Sequence, residues 1–275
     1  MALLVQFLLR LSFGLAAGMA ITSSRQVTSG YFRNHLYVLL GLTALAALLC
    51  RSGAPELFWY TVAAAGLSYV GAVAWLYEKP RFGKTVLVLV SLVSLLAGYK
   101  HLEFIENASE FAYSDKYLPS PNGGDQESQQ PTFLATATFF RFVPFVTSGL
   151  LLGSTMAAML LGHWYLNSPT MELTPLRRLI LAMAAAVGLQ AAVSALGLGA
   201  ELALVTVLTQ RWVLFVILRW AFGLMGVAAL AWMSWQTLKI PNTQSATGIL
   251  YVAVIGTFVG ETMALLLSGE SLFPL

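Results

Sequence analysis

The sequence predicts an all-α integral membrane bundle of about eight transmembrane helices, arranged as two four-helix halves joined by a long non-cytoplasmic loop. Three observations carry this. Of 275 residues, 58% are hydrophobic and only 10% charged, whereas a soluble domain carries about 25% charged residues. Mean hydropathy is +0.76. The apolar residues fall into runs at 2–22, 36–50, 57–77, 85–99, 133–162, 179–198, 212–236 and 249–267. A spanning helix takes about 17–25 residues, so the runs at 36–50 and 85–99 borrow flanking residues. Helices are therefore expected over roughly 2–22, 34–52, 56–78, 83–100, 133–163, 176–198, 211–237 and 247–268, in a single transmembrane domain spanning 1–275.

The first helix resembles a secretory signal only superficially. It has no basic leading region, and its one cation, Arg10, lies in the middle of the apolar run, so it is read as a retained helix. The second and third helices flank Cys50, the only cysteine. A lone cysteine excludes a disulfide framework and any iron–sulfur cluster ligated by this chain alone. The fourth helix leads into the one long connection, 101–132, which begins as a plausible helix continuation and becomes rich in Pro, Gly, Ser and Gln. Loops of this length are usually functional or disordered; this one is read either as a solvated crossover or as cover for a site.

The fifth helix carries Arg141 near its start and Pro144 within "RFVPFVTSGLLLGSTMAAMLLG" (141–162). Between it and the sixth, "GHWYLNSP" (162–169) and "TPLRRL" (174–179) read as an interfacial belt, with Trp164 and Tyr165 at headgroup level and Arg177 and Arg178 beyond it. The seventh contains "LRWAFGL" (218–224), a near copy of "LRLSFGL" (9–15) in the first, with Arg219 in the place of Arg10. The eighth contains Glu261. Glycine pairs at helix-packing spacing, Gly14 with Gly18, Gly149 with Gly153 and Gly256 with Gly260, predict close helix approaches.

Charge distribution sets the expected orientation. Alternating loops put Arg25, Arg33, Lys79, Arg81, Lys84, Arg177, Arg178 and Lys239 on one side, against Arg51, Lys100, Lys116 and Arg211 on the other. The cation-rich side is expected to be cytoplasmic and both termini non-cytoplasmic. In that frame Arg10, Arg141 and Arg219 each lie about eight or nine residues below the outer helix ends, on the order of 12–14 Å deep, and Glu261 reaches a comparable level. Intramembrane charges normally face a bundle interior and pair. Arg219 and Glu261, on neighbouring helices, are the expected pair, with Arg10 and Arg141 leaving an excess of positive charge suited to an anionic or polar ligand group. His101, Glu103 and Glu106 stand near the outer boundary, placed to exchange protons with water.

Other chemistry is sparse. His35 and His163 fall at inner helix ends and His101 outside; interfacial capping is the commoner role for such histidines, a haem pair the rarer. No Walker A loop, dinucleotide fingerprint, paired-cysteine metal motif or nucleophile elbow is present. No nucleic-acid partner and no resident metal are expected; lipid is.

Taken together, eight helices with both ends outside, the proline-containing fifth helix, the arginine inside the seventh and "FVGETMALLL" (258–267) with Gly260 and Glu261 resemble the membrane anchor subunit of dimethyl-sulfoxide-reductase-type and polysulfide-reductase-type respiratory enzymes. Anchors of that family often carry an arginine shortly after the last-helix glutamate; here Thr262, Met263 and Ala264 follow. The resemblance implies a bacterial inner-membrane subunit that binds quinone (menaquinone or ubiquinone, not covalently held) near the outer face. It also implies electron exchange with iron–sulfur or other redox protein subunits. Quinol oxidation needs a proton acceptor and a cation to hold the oxygen. Glu261, His101 and Glu103 are the candidates for the first role, Arg10, Arg141 and Arg219 for the second. Two other readings use the same charged layer: a secondary transporter of an anionic solute, and a non-catalytic structural subunit of a larger membrane complex.

Overall fold

The computed structural model describes residues 1–51, 54–117, 130–168, 171–204, 209–240, 242–269 and 271, with the backbone alone over 106–117, 130–140 and at 204. These residues form α1 (Ala2–Ile21), α2 (Ser29–Cys50), α3 (Pro55–Leu76), α4 (Pro80–Tyr117), α5 (Gln130–Asn167), α6 (Thr174–Leu204), α7 (Gln210–Leu218), a π-helical segment (Arg219–Gly226), α8 (Val227–Thr237) and α9 (Thr243–Leu267). The run from α7 to α8 is one span, so eight helices are long and apolar enough to cross a membrane. The chain is a multi-pass helical membrane protein.

Local chemistry sets the helix ends. Pro55 and Pro80 open α3 and α4, where proline's missing N–H is an orphan in any case. The Thr209 and Asn242 side chains accept from the Trp212 and Ser245 N–H groups and start α7 and α9. The Asn242 cap moves the last helix four residues earlier than the expected 247. The sixth helix runs on from the expected 198 to Leu204, because nothing in "GLGAELAL" breaks it. The expected loop 101–132 is helical at both ends, to Tyr117 and from Gln130; its centre, and with it a role in covering a site, lies outside the described residues.

The outward faces carry Leu48, Trp59, Leu196, Met225 and Ile255, all more than 60% exposed, the surface a hydrocarbon solvent requires. Inside, α1 and α5 are central: 72% and 78% of their span residues are buried, against 22–44% in the other six. The two halves therefore share one core, with α1 of the first half packed along α5 of the second. Several buried hydroxyls, including Thr43, Thr61, Ser68, Thr155 and Thr257, bond the carbonyl four residues back, which removes their need for a partner in an apolar medium.

Two glycine crossings fix the central packing. A Cβ on Gly14 would lie 1.7 Å from the Gly149 carbonyl oxygen and 3.0 Å from the Gly153 Cα. A Cβ on Gly223 would lie 2.5 Å from the Gly260 Cα. Backbones meet at both places, so the near-repeated phrase has a structural meaning. In each copy an arginine sits one turn before a glycine at which two helices touch. At the opposite end, Lys84 donates to the Ala20 carbonyl (2.6 Å) and the Thr22 carbonyl, and Arg177 to the Leu238 carbonyl (2.9 Å). Both cations close helix C-termini, where orphan carbonyls and the helix dipole favour them.

Gly14→Ala is expected to lower stability by about 1–3 kcal/mol through overpacking, read as a fall in Tm in detergent. Gly41→Ala, where a Cβ meets nothing within 4 Å, should be neutral or slightly stabilising. Equal Tm values for the two variants would contradict the crossing.

Candidate functional site

The site is built on the two glycine crossings. Gly149 follows Ser148, and Gly260 precedes Glu261, so close backbone contact brings polar side chains of α5 and α9 beside the two buried arginines. Arg10 Nη1 forms an ion pair with Glu261 Oε1 and donates to Ser148 Oγ at 3.2 Å. Ser148 Oγ in turn donates to Glu261 Oε2 at 2.5 Å. The carboxylate thus has a partner on each oxygen, and Arg10 and Glu261 are only 6% and 5% exposed. The Arg10 guanidinium also stands 5.3 Å from the centre of the buried Phe145 ring, a favourable face for a desolvated cation.

The expected Arg219–Glu261 ion pair is not what forms. Arg219, 3% exposed, donates through Nη2 and Nε to Ser194 Oγ on α6, at 2.6 and 3.3 Å. Its side chain turns to α6, while α1 delivers Arg10 directly to the carboxylate. Arg219 and Glu261 instead face one cavity of about 10 Å³, lined also by Gln190, Gly223, Thr257 and Gly260. That is room for about one water. Thr147 donates to the Gln190 carbonyl oxygen, so adjacent residues of α5, Thr147 and Ser148, tie the layer to α6 on one side and to α1 and α9 on the other. The arginine of the second phrase also opens the π-helical segment, and π turns inside helices are frequent at functional sites.

The other expected members are placed differently. Arg141 is exposed and lies seven residues before Ser148, two turns or about 10 Å from the ion pair along α5; it does not join the layer. Glu103 pairs with Lys100 at 2.8 Å, with both side chains about 40% exposed, which makes it a surface group. The Glu106 side chain lies outside the described residues. His101 is buried. Its Nε2 stands 3.0 Å from the Ala2 carbonyl, which only accepts, so Nε2 carries the proton and Nδ1 is left as an acceptor.

That Nδ1 is one of several buried polar atoms without a protein partner among the described residues; the others include Arg10 Nε, Ser12 Oγ and Ser94 Oγ. Trp75 Nε1 on α3 and Ser234 Oγ on α8 complete the set. Ser91 Oγ on α4 donates to the Phe13 carbonyl at 3.4 Å, and the antiparallel register then sets Ser94 level with Arg10 and His101 level with the start of α1.

Sequence reasoning missed Ser148, Ser194, Thr147, Gln190 and Glu201. Small polar residues in spans are common, so the first four give no signal alone. Glu201 does: an acid within "GLGAELALV", buried on α6 once that helix is extended. Trp164 and Tyr165, expected at headgroup level, both bond protein. Trp164 donates to Thr28 at 2.8 Å, and Tyr165 is 1% exposed and donates to the Glu172 carbonyl. His35 Nδ1 bonds the Tyr31 carbonyl at 2.5 Å and His163 Nδ1 meets the Tyr251 hydroxyl at 3.3 Å, so each serves its own neighbourhood. Among the described residues no group of three or more metal-ligating side chains converges.

Comparison with known proteins leaves the chain without a counterpart: no family profile, no characterised protein and no solved structure matches it.

Removing one partner of a buried ion pair costs about 3–5 kcal/mol because the other charge is stranded, and removing both costs less than the sum. Arg10→Leu and Glu261→Leu should therefore be strongly non-additive in thermal unfolding, and Arg219→Leu with Glu261→Leu more nearly additive. The reverse order would assign Glu261 to Arg219.

Proposed function

We propose that the chain is the quinone-reactive membrane anchor subunit of a respiratory electron-transfer complex, with Glu261 as the proton acceptor in quinol oxidation. The observation that carries this reading is the buried carboxylate held between Arg10 and Ser148, sharing a water-sized cavity with Arg219. Intramembrane ionisable groups are expensive and mark function by default. Here two arginines accompany one carboxylate, so the layer has a cation in excess, as the anionic intermediates of quinol oxidation require. We route protons along the α1–α4 contact, where Ser94 lies level with Arg10 and the open acceptor nitrogen of His101 suits it to pass a proton to the outer side.

The closed layer constrains this reading. A quinone ring does not fit a cavity of about 10 Å³, so the ring lies against the lipid-facing edge, beside the π segment, and exchanges protons with Glu261 through one water. Glu103 and Arg141 drop out of the site, and Arg10, Arg219, Glu261 and His101 remain. Electrons leave to redox centres on partner subunits, since the single cysteine is buried and can hold no cluster alone. The cation-rich end is cytoplasmic in this scheme.

The same closure favours a second reading, a structural subunit whose charges serve assembly only. Kinetics separate the two. In the purified complex, Glu261→Gln should lower quinol-oxidation turnover by about 10²–10⁴-fold, the usual worth of general-base assistance, with inhibitor binding and subunit content retained. Wild-type turnover at wild-type content would remove Glu261 from the chemistry, and activity falling only in step with lost subunits would select the structural reading.

A further inference from the structure

A second feature lies at the far end of the bundle from the Arg10–Glu261 layer and is independent of it. Along α3 and its C-cap, Tyr69, Val70, Val73, Ala74 and Tyr77 form a stripe at helical spacing. The turn into α4 adds Lys79 and Phe82, and together they line a groove of about 570 Å³. That volume is in the range of small-molecule and lipid pockets. The groove follows from the turn itself: Glu78 adopts a left-handed backbone (φ 52°), Pro80 opens α4, and Phe82 is set off from α3 with 52% of its surface exposed.

The composition grades along the groove. Val70 and Val73 lie toward the middle of the span, and Tyr77 and Lys79 close the end, where tyrosine and lysine meet headgroups in a bilayer. The Lys79 ammonium makes no hydrogen bond or ion pair among the described residues, whereas Lys84, one turn into α4, is turned inward onto the Ala20 and Thr22 carbonyls at the end of α1. Lys79 also belongs to the cation-rich end with Arg81 close by, and Glu78, the nearest acid, is not part of the lining.

We propose that this groove is a binding site for an anionic phospholipid of the cation-rich leaflet. One acyl chain lies on Tyr69, Val70, Val73 and Phe82, the phosphate is at Lys79, and the Tyr77 hydroxyl is within the headgroup zone. The apolar stripe selects a lipid over a soluble phosphate, and the unpartnered ammonium selects an anionic headgroup over a zwitterionic one. A single lysine near the membrane surface is worth about fivefold in affinity for anionic lipid.

Native mass spectrometry of the purified full chain, titrated with phosphatidylglycerol or phosphatidylcholine, reads the site directly. The wild type is expected to retain phosphatidylglycerol about fivefold more strongly than phosphatidylcholine. Lys79→Gln should abolish that preference, and Val70→Trp, which fills the groove from an exposed position, should reduce retention of both lipids. Val62→Trp, at an exposed position of α3 outside the groove, should change neither. Equal retention of the two lipids by the wild type, or loss of preference in Val62→Trp but not in Lys79→Gln, would overturn the proposal. So would displacement of the bound lipid by soluble glycerol phosphate at equal concentration, since the groove would then contribute nothing.

Discussion

The ion pair between Arg10 and Glu261 joins the first helix to the last, and the central architecture depends on it. A desolvated guanidinium or carboxylate alone in this interior would be prohibitive, so the bundle must assemble with α1, α5 and α9 in the one register that lets both charges and Ser148 meet. Glycines make that register reachable. Gly14 against Gly149 and Gly153, and Gly223 against Gly260, bring backbones close enough for short polar side chains to reach across. Packing and electrostatics are therefore one constraint: Gly14, Gly149, Gly223 and Gly260 are each a sequence neighbour, or one turn, from a charged or hydroxyl group of the layer.

The number and class of helices were legible because apolar runs of span length have few alternative structures. The depth of the charges was partly legible: Arg10, Arg219 and Glu261 are buried together, but Arg141 is exposed two turns before Ser148 on α5, because distance from a helix end does not say which face a side chain occupies. Pairing was misread for a topological reason. Sequence proximity favours the last hairpin and hence Arg219 with Glu261, whereas α1 returns against α5 and α9 and delivers Arg10 first. The π segment at Arg219–Gly226 and the extension of α6 that buries Glu201 have no pattern in hydropathy, and neither was foreseen.

The two ends of the bundle divide the work differently. At the cation-rich end Lys84 and Arg177 are committed to helix C-termini, and Trp164 and Tyr165 to protein partners, while the Lys79 ammonium beside its groove is the charge we assign to lipid. At the other end the polar groups lead inward instead. His101, Ser94 and Arg10 keep atoms unpartnered by protein along α1 and α4, in a bundle whose other buried hydroxyls are mostly satisfied within their own helices. In the proposed function, protons reach the ion pair along the α1–α4 contact.

Infrared difference spectroscopy of the protein in lipid at neutral pH reads whether Glu261 rests as a carboxylate held by Arg10. Subtracting the spectrum of Glu261→Gln should reveal a carboxylate band and no protonated-carboxyl band in the wild type. The same subtraction in an Arg10→Gln background should reveal the protonated band, shifted in D₂O. A protonated-carboxyl band for Glu261 in the wild type, or no change on removing Arg10, would contradict the account.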